Sequence, residues 1–143
     1  MNRKNKFWLT AGFLNLLTAF VHTIAGQIDL VHPLLSTDMN LQAKSEWMGA
    51  WHMITIMLFL TSYYLLKNGS GMNQKMDLSN IKLIGILYCL ISVPFIVSSF
   101  YFKTFAPQWI ILLPIGILSI IGLRQVPYAD DVRDQRFSST IIG

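Results

Sequence analysis

Four apolar runs, near residues 7–26, 46–66, 82–102 and 108–124, take up more than half of this 143-residue chain and leave it few ways to fold. The first three approach the ~20 residues a helix needs to cross a ~30 Å hydrocarbon layer. The fourth is slightly short, which tilt or local bilayer thinning accommodates. Charged residues make up 13% of the chain, against roughly 25% in a soluble domain. In lipid every backbone polar group has to be satisfied within its own segment. The sequence therefore predicts an all-α integral membrane protein, a four-transmembrane-helix antiparallel bundle. One membrane domain is expected over 1–143: a first span at about 7–28, an outer loop at 29–44, spans at about 45–66, 82–102 and 108–124, and a polar tail at 125–143.

Positive charge orients this bundle. Arg3, Lys4 and Lys6 precede the first run, Lys67, Lys75 and Lys82 surround the second loop, and Arg124, Arg133 and Arg136 follow the fourth run. Only Lys44 and Lys103 fall on the opposite side. That bias places both termini in the cytoplasm, as in a multi-pass protein of a bacterial-type plasma membrane. The net charge of +4 follows from this topology. Scattered over three segments, the basic residues form no nucleic-acid surface. Met1–Lys6 before an apolar run resembles a secretory signal, with Ile24-Ala25-Gly26 as a weak cleavage-like site. Asn15 and His22 interrupt that run, so it reads as a retained span. The single cysteine, Cys89, lies mid-span and reads as a small buried apolar residue.

Within the outer loop, Pro33 biases His32 toward an extended conformation, so the first helix is expected to end by there. Ser36, Thr37 or Asp38 is expected to cap a short helix running on to Lys44 over the mouth of the bundle. Helical spacing then assigns inward faces. They are Ala11, Asn15, Ala19, His22, Gly26 and Asp29 in the first helix, and Ser45, Gly49, His52, Thr55, Phe59 and Ser62 in the second. The third offers Gly85, Cys89, Ser92, Ile96 and Ser99, and the fourth Gln108, Leu112, Gly116, Ser119 and Leu123. Small residues let helices approach and polar ones bond across the interface, and Asn15 reads as such a bond. Trp8, Tyr63 and Tyr64 are expected at the inner interface, and Trp47, Trp51, Tyr101 and Trp109 at the outer one.

All three histidines, His22, His32 and His52, lie in the thirty residues that bridge the first two spans. Antiparallel helices put His22 and His52 at similar depths, roughly 6 and 9 Å below the outer boundary at ~1.5 Å per residue. An ionisable group there is expensive and usually marks function or a polar interior. The expectation is an outward-facing polar pocket around the two imidazoles, with Asp29, His32, Ser99 and Gln108 near it.

Three chemistries suit that pocket. In the first, His22 and His52 carry out acid–base work on a small amphipathic or lipid-like molecule, with Asp29 orienting His22 two turns along and Trp51 stacking on a flat or cationic intermediate. In the second, His22 and His52 ligate haem b axially, or with His32 or Asp29 hold a divalent metal; Trp51, Ser99 and Gln108 would line the cofactor. In the third, the histidines merely hydrogen-bond across the bundle of a structural or accessory subunit. Membrane lipids and the small ligand are the expected partners, and glycine faces allow association with further copies of the chain.

Overall fold

The computed structural model describes residues 4–71 and 78–126, all helices and short connections with no strand among them. Arg3, Lys75, Arg133 and Arg136, and nearly all of the tail expected at 125–143, lie outside the described residues. Four helices follow in order: α1 (Lys6–Leu35), α2 (Leu41–Gly69), α3 (Leu78–Tyr101) and α4 (Gln108–Leu123). The first three are long and apolar enough to cross a membrane, and α4 is apolar but shorter, at 16 residues.

Helix α1 starts where the Asn5 side chain accepts from the Trp8 backbone N–H. It does not end before Pro33 as the sequence suggests. An α-helical stretch to Gly26 passes into a π-helical turn, Gln27–Val31, and then a last α-turn, His32–Leu35. The proline ring would press on the carbonyl four residues back in a regular α-helix. The wider turn, in which the His32 N–H reaches the Gln27 carbonyl, carries the helix past that obstacle. Ser36 and Thr37 do not cap a new helix: their hydroxyls donate back to the His32 and Leu34 carbonyls and close α1. Lys44 Nζ donates to the Leu35 carbonyl at 2.7 Å. Asn40 is the cap of α2, accepting from the Ala43 N–H at 2.8 Å. The expected short helix over the mouth is thus the first turn of α2 itself.

Helix α1 packs along α2 on one side and α4 on the other, and α4 packs along α3. Helices α2 and α3 approach each other far less. The α3–α4 crossing is close because Gly85 and Gly116 face each other: a Cβ on Gly116 would lie 2.8 Å from the Gly85 carbonyl oxygen. At the end of the bundle that holds the start of α1, Asn5 Nδ2 donates to the Gly122 carbonyl (2.7 Å) and the Asn5 N–H to the Gly69 carbonyl (2.9 Å). Trp8 is fully buried there and its Nε1–H donates to the Ser119 carbonyl at 3.0 Å. This corrects its assignment to the membrane interface. The indole fits because Gly122 opposes it; a Cβ on Gly122 would overlap the indole nitrogen.

Halfway along, three side chains close a buried polar triangle. Asn15 Nδ2 donates to Thr61 Oγ1 (2.8 Å) and to the Leu58 carbonyl (3.1 Å). The Tyr88 hydroxyl donates to Asn15 Oδ1 (2.8 Å) and lies 2.6 Å from Thr61 Oγ1. The triangle joins α1, α2 and α3 midway along the bundle, and nearer the Asn5 end Asn80 Nδ2 donates to the Tyr64 hydroxyl (3.3 Å) as a second side-chain link between the loosely apposed α2 and α3. Among the described residues no buried side-chain nitrogen or oxygen lacks a partner. The opposite surfaces are apolar and exposed, as at Phe13, Leu17, Ile56, Leu60, Leu83 and Leu90.

Candidate functional site at the His22 end

The far end of the bundle gathers His22, Gly26, Trp47, Trp51 and His52. His22 is half-buried on α1, and its ring lies flat on the Trp51 indole, with centroids 3.9 Å apart and planes 14° from parallel. Its Nε2 stands 3.4 Å from the Trp51 carbonyl oxygen, which also accepts from the Thr55 hydroxyl. One turn further along α1, Gly26 leaves space for the indole: a Cβ there would sit 2.5 Å from Trp51 Cζ2. Trp47 continues the stack outward, its ring 6.2 Å from that of Trp51 and inclined by 29°. The result is an aromatic ladder, His22–Trp51–Trp47, that runs from the half-buried level to the exposed end of α2.

His52 stands elsewhere than the sequence suggests. It is exposed, while its neighbour Trp51 is buried and takes the place beside His22. An indole, not a cavity, covers the His22 ring. The inward face of α2 is accordingly turned by one residue in this half. Trp51, Leu58, Ser62 and Leu65 are buried, whereas Ser45, Gly49 and His52 are exposed. A Cβ on Gly49 would meet nothing within 4 Å. Trp51, expected in an interfacial belt, belongs to the packing.

The remaining residues assigned to the pocket are dispersed. Asp29 is exposed in the π-helical turn and its carboxylate makes no hydrogen bond or ion pair among the described residues, so it does not orient His22. His32 is exposed, and its carbonyl accepts the Ser36 hydroxyl. Ser99 is occupied at the α3–α4 turn, donating to the Phe95 carbonyl (2.7 Å) and accepting from the Ala106 N–H (3.1 Å). Gln108 is exposed at the start of α4. Among the described residues no three His, Cys, Asp or Glu side chains come together as metal ligands, so His22, His32 and His52 form no such set. A haem held between His22 and His52 would need a slot where the Trp51 ring now lies. The stack itself escapes sequence reasoning because it depends on a glycine of one helix facing a tryptophan of another. The pair of runs His22…Gly26 and Trp47…Trp51 is the only trace of it.

No protein-family model matches this chain, and no curated protein or solved structure matches it either.

Proposed function

We propose that the chain is a four-span integral membrane protein of a bacterial-type plasma membrane with cytoplasmic termini, and that its outer end binds a small amphipathic molecule. The apolar surfaces and the distribution of Lys and Arg support the first part. The observation that carries the second is the His22–Trp51–Trp47 ladder beside the exposed His52, directly below a π-helical turn. Such turns are frequent at functional sites. The exposed edge of the ladder suits a flat or chain-like apolar body. His52 offers a titratable group to a polar head, which is where proton exchange with the ligand would take place.

The test is tryptophan quenching in vesicles holding the full chain, with a spin-labelled fatty acid as the probe. Saturable quenching, displaced by unlabelled fatty acid and weakened by Trp51→Phe and His52→Gln, is the expected result. Quenching that rises linearly with the probe, unaffected by either change, overturns the proposal.

One observation favours a second reading. Among the described residues every buried side-chain nitrogen and oxygen has a partner, as suits a structural or accessory subunit. On that reading His22→Gln and His52→Asn leave the quenching by the spin-labelled fatty acid unchanged.

A further inference from the structure

We infer that the turn between α3 and α4 binds the headgroup of an anionic phospholipid, and that Lys103 is the charge that recognises it. This rests on the membrane-spanning reading above, but on none of the residues of the His22 site. A groove of about 330 Å³ opens at this turn, walled by Ile96, Phe100 and Trp109, with Ser99, Thr104 and Lys103 as its polar lining. An apolar wall leading to one cation is the complement of an acyl chain leading to a phosphate.

Two properties of Lys103 single it out. It adopts φ 51°, the left-handed conformation that glycine or asparagine ordinarily supplies at a helix end. It also makes no side-chain hydrogen bond or ion pair among the described residues. Lys44, the other cation expected on this side, is by contrast engaged with the Leu35 carbonyl. The Ser99 hydroxyl is likewise committed, donating to Phe95 and accepting from Ala106. Lys103 is therefore the charged group of the lining left to meet an anion. Tyr101, largely exposed, and Trp109 of the groove wall stand close by in the chain, the two residue types that mark a membrane–water boundary, where lipid headgroups lie. Lysine there also complements the C-terminal dipole of α3, and the experiment separates that role from lipid recognition.

Native mass spectrometry of the full chain in detergent, titrated with phosphatidylglycerol or phosphatidylcholine, gives the readout. The wild-type chain is expected to prefer the anionic lipid about fivefold, the factor equivalent to about 1 kcal/mol for one lysine at an anionic surface. Lys103→Gln should abolish the preference and Lys103→Arg should keep it. Lys103→Gly should abolish it while raising the unfolding temperature, because the left-handed backbone is no longer strained. Equal binding of both lipids by the wild-type chain, or a preference that survives Lys103→Gln and Lys103→Gly, overturns the inference. Failure of the His22 proposal leaves this measurement intact, since the two sites share no residue.

Discussion

At the Asn5 end, α1 is tied to α2 and α4 by side-chain and backbone hydrogen bonds around a fully buried tryptophan. At the His22 end a second tryptophan is seated against a glycine in the same manner, yet it is held by stacking and one long contact, and its neighbours are exposed. Both ends use a large ring on one helix and a missing Cβ on another. They differ in what satisfies the polar atoms. Trp8 donates its Nε1–H to a carbonyl of α4, so packing and hydrogen bonding reinforce each other. The His22–Trp51 pair leaves imidazole edges, and the whole of His52, for something outside the chain. Stability is thus concentrated at one end and chemical opportunity at the other.

The sharpest way to break this comparison is Trp8→Ala. It removes the largest fully buried side chain among the described residues together with its bond to Ser119. Large-to-small changes of this kind reduce stability by about 3–5 kcal/mol. Thermal unfolding in detergent, followed by circular dichroism, should show loss of the cooperative transition or a large fall in its midpoint. A small shift would mean that the Asn5 end is not the anchor.

The middle of the bundle is tested by Tyr88→Phe. The change deletes one hydroxyl, leaving Asn15 Oδ1 buried without its donor. A transmembrane hydrogen bond contributes on average only about 0.6 kcal/mol, but orphaning a buried acceptor raises the loss to about 1–2 kcal/mol. Chemical unfolding in mixed micelles measures it. Because the triangle is the buried link between α2 and α3, the variant should also increase hydrogen exchange along the inner surfaces of those two helices near Thr61 and Tyr88. Asn15→Leu with Tyr88→Phe removes both partners and should recover part of the loss.

How far the sequence reveals this arrangement differs between the two ends. Apolar run lengths locate all four helices, and the small-and-polar faces of α1, α3 and α4 are buried where expected, at Ala11, Asn15, Ala19, Gly85, Ser92, Gly116 and Ser119. That rule works where small residues meet small residues. It misassigns Trp8, Trp51 and the His22-proximal half of α2, because a large ring can occupy an inward position when the opposing helix supplies glycine. Such complementarity is a property of two helices, invisible in either alone. The length of α1 escapes for a related reason: Pro33 signals a helix end locally, while the π-helical turn that absorbs it depends on a register shift several residues earlier. The depth match of His22 and His52 is legible from counting residues, but their facing each other is not, since one residue is a rotation of about 100° on a helix.

That rotation gives the smallest expected effect and the most informative one. His52→Gln alters an exposed side chain outside the aromatic stack, so the unfolding free energy should change by no more than about 0.5 kcal/mol. A marked destabilisation would show that His52 is held by the protein and faces inward. That would restore the two-imidazole arrangement and remove the distinction between a packed His22 and an available His52. His22→Gln provides the counterpart, because it takes a half-buried ring off the Trp51 indole. An aromatic pair contributes about 0.5–1.5 kcal/mol beyond the area it covers, so this variant should be the less stable of the two and should alter near-ultraviolet dichroism from Trp51. If the two histidine variants are instead indistinguishable in stability and spectrum, the His22–Trp51 stack does not hold its end of the bundle together, and the contrast between the ends reduces to Trp8 alone.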